Sequence, residues 1–119
     1  LGLKPEGGFA ESPYAFTEAD LLRGKALYQS FCAICHGARG EGDGRAIPLG
    51  VPKPRSYHDP AVRDQPEGYF YFAATNGFGR MLPYKSRIPE RERWLIAHYI
   101  KRCLLSEACP EEVVHAEVH

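Results

Sequence analysis

The residues with the clearest chemical potential lie in one short run, Cys32-Ala33-Ile34-Cys35-His36. Cysteines three positions apart share one face of a helical turn, so both sulfurs can bond vinyl groups of the same porphyrin. The histidine that follows can supply an imidazole nitrogen to the porphyrin iron. This C-x-x-C-H spacing is the attachment pattern of a c-type haem, and it predicts one covalent haem held by Cys32, Cys35 and His36.

Two other kinds of site use paired cysteines, namely a zinc half-site and a dithiol redox pair. A zinc site usually needs a second Cys/His pair at similar spacing, and the sequence contains none. A dithiol pair does not require a histidine directly after its second cysteine. The haem interpretation is therefore preferred to both.

Length and composition favour one small domain. The chain has 119 residues, and its 6 Phe, 7 Tyr and 1 Trp suit a large apolar cofactor in a modest core. The formal net charge is zero, which gives no electrostatic support for nucleic-acid binding. The sequence has no transmembrane run and no signal peptide at residues 1–5, and a lipid anchor upstream of Leu1 remains an open alternative.

Cys103 and Cys109 are left over from the haem motif. Covalent haem attachment takes place outside the cytoplasm, so we expect a periplasmic or otherwise extracytoplasmic location, with membrane association open. A disulfide between Cys103 and Cys109 would suit such an oxidising compartment. Two buried free thiols are the alternative.

Helices must position the haem motif, and the sequence contains no alternating strand pattern of useful length. Thr17 can cap a first helix that runs to the haem cysteines. Gly24 within it indicates a close crossing by another helix, a tolerated surface glycine being the alternative. Three further helices are predicted. One begins at Asp59-Pro60, the next runs from near Pro66 to Asn76-Gly77, and the last runs from Pro89 to about Leu104.

The chain divides into three segments on composition. Residues 1–16 form an N-terminal extension that Phe9, Tyr14 and Phe16 could pin to the body, a flexible tether being the alternative. Residues 17–105 form the domain, with a Gly/Pro-rich loop after the haem motif that we expect along one haem edge. Residues 106–119 hold four Glu and no Lys or Arg, which predicts a solvated acidic tail.

The order of five features along the chain resembles that of the class I monohaem cytochromes c. These features are a capped helix, C-x-x-C-H, a Gly/Pro loop, a Met-Pro loop and a helix with Trp94 and Tyr99. More narrowly, Thr75–Met81 followed by Ile88-Pro89 and Arg93-Trp94 is similar to the monohaem cytochromes c associated with bacterial alternative complex III. The resemblance implies an all-α class I cytochrome c fold. In that fold the N- and C-terminal helices cross, with Gly24 against the last helix, and short helices and loops surround the haem.

The resemblance also implies a second axial ligand. Met81 is the only methionine, lies in the Met-Pro loop and would complete His/Met ligation with His36. His58 and His98 are the rival ligands. A lone methionine is otherwise usually core filler.

Residues around the haem are expected to fix His36 and the propionates. The resemblance further implies that a proline carbonyl after the motif accepts a hydrogen bond from His36, with Pro48 as the first choice and Pro52 as the fallback. Partly buried propionates need hydrogen-bond donors. Loop residues of suitable type are Arg55, Tyr57 and Tyr84.

The expected function is that of a soluble or membrane-tethered one-electron carrier, not an enzyme. It would pass electrons from a quinol-oxidising complex to a terminal haem-copper oxidase. The alternatives are a fixed cytochrome subunit of a respiratory complex and a ligand-binding or catalytic haem protein with an open sixth position. Arg80, Lys85 and Arg87 flank Met81 and would steer an acidic partner to the haem edge, unless they are ordinary surface charges.

Overall fold

The computed structural model describes residues 11–77 and 81–118, and within these ranges every regular element is helical. The helices are α1 (Glu18–Phe31), α2 (Ala33–His36), α3 (Pro60–Arg63), α4 (Glu67–Asn76), α5 (Glu90–Tyr99) and α6 (Glu111–His115). A 3₁₀ turn covers Ile47–Leu49, and a π-helical turn, Ile100–Leu104, continues α5. The predicted all-α class is confirmed. No helix among the described residues is long and apolar enough to cross a membrane.

Helix α1 begins at a reciprocal cap. The Thr17 side chain accepts a hydrogen bond from the Asp20 backbone N–H at 3.1 Å, and the Asp20 carboxylate accepts one from the Thr17 N–H at 2.8 Å. Two otherwise free donors at the helix start are thereby satisfied. The helix then crosses α5 at Gly24, which lies against Leu95 and Tyr99, as the sequence predicts.

Helix α4 is stacked on α5 through aromatic rings. The Tyr71 and Trp94 rings lie 4.1 Å apart at an interplanar angle of 11°. Arg93 is buried beside them and donates to the carbonyl oxygens of Lys85 and Ile88 and to the Tyr71 hydroxyl. This packing fixes α4, which supplies one wall of the site described below.

The short elements form where local signals predict them. The Asp59 carboxylate accepts from the Ala61 N–H at 3.0 Å, and Pro60 is the first residue of α3. Gly77 ends α4 with φ at 75°, a conformation that L side chains rarely adopt. Both signals depend on residues within a few positions of each other, which explains why the sequence is sufficient.

The C-terminal segment is docked on α1, although its four glutamates are exposed, as an acidic tail predicts. Cys103 and Cys109 form the predicted disulfide, after which α6 packs against α1 with Val113 fully buried. The buried Lys25 ammonium donates to three backbone carbonyls of this segment, those of Val113, Val114 and Ala116, at 2.7–3.0 Å. One apolar side chain and one lysine therefore hold an otherwise acidic segment in place.

The described part of the N-terminal extension lies on the body. Tyr14 and Phe16 are partly buried against the core, and the Phe16 ring centroid is 5.3 Å from that of His98. The Arg91 guanidinium lies over the rings of Tyr14 and Phe16. Phe9 lies outside the described residues.

Candidate functional site

The haem motif lies at the junction between α1 and α2. Cys32 ends α1 and begins α2, whose single turn carries Cys35 and His36. Cys32 is buried and Cys35 half-buried, and neither takes part in a disulfide. Burial raises the pKa of Cys32 to about 12. Helical spacing thus presents both sulfurs and the imidazole from one short element.

The loop that follows is hydrogen-bonded to the haem motif through the backbone. The N–H groups of Gly42, Gly44 and Ala46 donate to the carbonyls of His36, Cys35 and Ile34, respectively, at 2.8–3.1 Å. Gly44 lies so close to the Ile34 and Cys35 backbones that a Cβ there would collide with them. The glycine-rich composition is therefore required by a close backbone approach as well as by the turn itself.

The motif opens onto two adjoining cavities, of about 470 and about 260 Å³. Both volumes together are of the order expected for a cofactor pocket. The residues common to both linings are Cys32, His36, Pro54 and Met81. The walls are mostly apolar, and the Gly/Pro loop contributes Val51 to the larger cavity, as expected for a haem edge.

Met81 lines the same two cavities as His36. The end of α4 positions Met81, because Gly77 lies directly against the Met81 carbonyl. The Tyr84 N–H donates to the Ala74 carbonyl at 2.8 Å and fastens the following loop to α4. Arg80 and the other residues at 78–80 lie outside the described residues.

The His36 imidazole is neutral at physiological pH. Burial lowers the pKa of His36 to about 4, so the unprotonated form that can bind a metal predominates. The ring lies parallel to that of Tyr57, with centroids 4.8 Å apart and an interplanar angle of 18°. Its Nδ1 is buried and has no hydrogen-bond partner among the described residues.

The expected bond from His36 to Pro48 is therefore not observed, and the expectation is corrected. Pro48 sits in the Ile47–Leu49 turn, is exposed at the surface and lines neither cavity. The fallback, Pro52, lines the larger cavity, but its carbonyl does not accept from Nδ1. The 3₁₀ turn places Pro48 at the surface, away from His36. The number of residues between His36 and Pro48 could not predict this orientation.

The three predicted propionate donors all lie at the cavities. Arg55 and Tyr57 line the smaller one and Tyr84 the larger one. The Tyr84 hydroxyl donates to the Phe31 carbonyl at 3.2 Å, and the Arg55 guanidinium is 3.8 Å from the Asp59 carboxylate. Burial raises the pKa of Tyr57 well above its usual range, so its hydroxyl stays protonated. Their role as propionate donors stays a prediction.

The rival histidines are engaged elsewhere. His58 is exposed, with Nε2 at 2.8 Å from the Arg39 carbonyl. His98 pairs with Glu67, with Nδ1 and Oε2 3.0 Å apart. Neither lines a cavity.

Several wall residues escaped the sequence analysis as individual site residues. Helix α4 supplies Phe70, Ala73 and Ala74 to the smaller cavity, and α3 supplies Val62. A signal for the α4 residues was present, because this helix is apolar almost all round and so needs partners on several sides.

Comparison with known proteins agrees with this geometry. A family model described as cytochrome C oxidase, cbb3-type, subunit III matches residues 19–100. The chain belongs to this cytochrome c family. It is accordingly an electron-transfer haem protein with covalently bound haem c, and cytochrome c domains are typically extracytoplasmic.

Two solved structures share the fold. The KustC0563 c-type cytochrome matches with a TM-score of 0.54 and 21% identity, covering 66% of this chain and 93% of that one. A chain of the Kuenenia stuttgartiensis reducing HAO-like protein complex Kustc0457/Kustc0458 matches with a TM-score of 0.62 and 26% identity. That match covers 79% of this chain and 49% of the other. No curated protein shows significant similarity to the chain.

Proposed function

We propose that this cytochrome is a one-electron carrier, not an enzyme, with a single haem c ligated by His36 and Met81. The observation that carries the proposal is that these two side chains line the same pair of cavities beside the attachment cysteines. A single C-x-x-C-H motif in the sequence supports one haem. When bound, the haem iron supplies a reversible one-electron couple.

Each of the four site residues has a separate role in this proposal. Cys32 and Cys35 would hold the porphyrin covalently, and His36 would offer a neutral imidazole. The Met81 thioether would be a soft, neutral ligand that favours Fe(II), so His/Met ligation would raise the reduction potential. Together His36 and Met81 would leave the iron no open position for a substrate, which distinguishes a carrier from a haem enzyme.

We propose a quinol-oxidising complex as the electron donor and a terminal haem-copper oxidase as the acceptor, in the periplasm. The similarity of Thr75–Met81 and Arg93-Trp94 to cytochromes associated with alternative complex III supports the donor. The family description names an oxidase subunit, which favours a second candidate, a fixed subunit of a respiratory complex. Retention in the complex through a high-salt wash would favour the subunit, and release would favour the free carrier.

Visible and near-infrared spectra of both oxidation states test the proposed ligation. We expect low-spin haem in each state and, in the oxidised protein, the near-infrared band given by methionine-to-iron charge transfer. Met81→Ala should lose that band while keeping the attached haem. Leu82→Ala, next to it on the same loop, should keep the band and serves as the control. A high-spin wild-type spectrum would instead favour a haem protein with an open sixth position.

A further inference from the structure

The ring of Tyr57 lies flat against the ring of His36, with centroids 4.8 Å apart and an interplanar angle of 18°. We propose that Tyr57 is the positioning residue that sets the plane of the His36 imidazole, a task first expected of a proline carbonyl. The inference rests on the proposed function, since it takes His36 as an iron ligand. It also gives Tyr57 a different role from that of a propionate donor.

Tyr57 is itself held on several sides. Its backbone N–H donates to the Gly40 carbonyl at 2.7 Å. Gly40 lies directly beneath the Tyr57 ring, where a Cβ would collide with it. The Phe70 ring meets the Tyr57 ring edge-on, at 5.4 Å and 87°. A ring that is fixed in this way can act as a flat wall for the imidazole beside it.

The imidazole needs such a wall. The α2 turn and its bonds to the following loop fix the His36 backbone, which leaves rotation about the side-chain torsions. A hydrogen bond from Nδ1 usually restricts that rotation in histidine ligands. No described residue accepts such a bond from His36. The stacked contact with Tyr57 restricts the same rotation, because a tilted imidazole would run into the ring.

Two substitutions separate stacking from hydrogen bonding. Tyr57→Phe keeps the ring and removes the hydroxyl, whereas Tyr57→Leu removes the flat surface. If Tyr57 acts by stacking, the Phe variant should behave as the wild type and the Leu variant should not. If it acts only as a propionate donor, the Phe variant should change as much as the Leu variant.

The readout is proton NMR of the oxidised holoprotein, because the hyperfine shifts of the haem methyl groups depend on the orientation of the axial imidazole plane. We expect Tyr57→Phe to retain the wild-type order of methyl shifts and Tyr57→Leu to lose it. Val113→Ala, which removes buried volume outside both cavity linings, should retain the order. The inference is overturned if Tyr57→Leu keeps the order, or if Val113→Ala disturbs it equally.

The reduced wild-type protein gives a second test that needs no variant. Nuclear Overhauser contacts between the Tyr57 and His36 ring protons are expected with the haem attached, and their absence would overturn the inference even if Tyr57→Leu does not fold. The two proposals fail in different ways. Spectra without His/Met ligation would contradict the proposed function, whereas normal spectra without the ring contact would contradict only the role of Tyr57.

Discussion

Gly24 of α1 lies in direct contact with Leu95 of α5, because a Cβ on Gly24 would come within 3.2 Å of both the Leu95 Cγ and the Leu95 carbonyl oxygen. The Tyr99 Cβ would lie equally close. The carbonyl oxygen belongs to a helix backbone, which cannot move aside as a side chain can. The crossing of α1 and α5 therefore depends on the missing side chain of Gly24.

Gly24→Ala should lower the free energy of unfolding by about 1 kcal/mol. Alanine favours the helix by roughly 1 kcal/mol over glycine, but overpacking at a close contact costs about 1–3 kcal/mol. Gly24→Val should cost clearly more, since its branches meet the same three atoms. Urea unfolding measures both, with Gln29→Ala, exposed on the same helix, as the control. A Gly24→Ala protein more stable than the wild type would show that the helices can separate at no cost.

Lys25→Met should loosen the C-terminal segment. Three carbonyls would lose their donor, so we expect the free energy of unfolding to fall by about 1–3 kcal/mol. Amide hydrogen exchange in residues 111–116 should become faster by roughly tenfold or more, because local unfolding of this segment would no longer require the Lys25 hydrogen bonds to break. Lys101→Met is the matched control, because the Lys101 ammonium bonds one carbonyl, that of Arg63, at an exposed site. Unchanged exchange in the Lys25 variant would mean that the segment is held without the Lys25 hydrogen bonds.

Tyr28→Phe tests the hydroxyl that braces the haem motif from α1. The buried Tyr28 hydroxyl donates to the Gly37 carbonyl at 2.7 Å, and its loss should cost about 1 kcal/mol at pH 7. Burial raises the pKa of Tyr28, and it raises that of Tyr99 to about 12. The folded state thus holds these protons more tightly than the unfolded state, whose tyrosines titrate near pH 10. The stability that they contribute is complete below that pH and is lost above it.

Urea unfolding at a series of alkaline pH values measures this dependence. Wild-type stability should fall between about pH 10 and pH 12, and Tyr28→Phe should reduce the slope by up to about 1.4 kcal/mol per pH unit. Phe16→Leu, which removes a ring that carries no ionisable group, should leave the slope unchanged. Identical slopes for wild type and Tyr28→Phe would show that Tyr28 titrates alike in the folded and unfolded states.

Basic residues beside the larger cavity should steer charged redox partners. The exposed Arg87 guanidinium lies over the rings of Tyr84 and Phe31, both of which line that cavity. Oxidation by anionic hexacyanoferrate(III) should slow by roughly threefold or more between about 0.01 M and 0.1 M ionic strength, as the Debye length shrinks from about 30 to 10 Å. A cationic cobalt(III) phenanthroline complex should show the opposite trend.

Charge reversal identifies which residues act. Arg87→Glu should weaken the salt dependence with the anion, whereas Arg63→Glu, on α3 and outside both cavity linings, should not. Rates that do not depend on salt with either probe would remove the electrostatic docking argument.

The sequence predicted the features that depend on neighbouring residues. The Thr17 cap, the Asp59-Pro60 start and the Gly77 stop are each set within a few positions, and the resemblance supplied the crossing at Gly24. The docked C-terminal segment was missed because Lys25 and Val113 are 88 positions apart. Their contact depends on the packing of α6 on α1, which no local pattern encodes.

At the candidate site, too, some features were predictable from the sequence and others were not. Residue types and the family resemblance indicated His36 and Met81 as partners, and the structure brings both to one pair of cavities. The direction of Pro48 and the stacking of Tyr57 on His36 were not predictable, because both follow from how the Gly/Pro loop folds back on the motif. Tyr57 was assigned to the haem pocket, but as a hydrogen-bond donor rather than as a wall.

The most direct test of the central claim is to add carbon monoxide to the reduced holoprotein at neutral pH. If Met81 occupies the sixth position, the wild-type visible spectrum should not change, whereas Met81→Ala should bind carbon monoxide rapidly and with a stoichiometry near one per haem. Rapid stoichiometric binding by the wild type would contradict the carrier proposal and indicate a haem protein with an open sixth position.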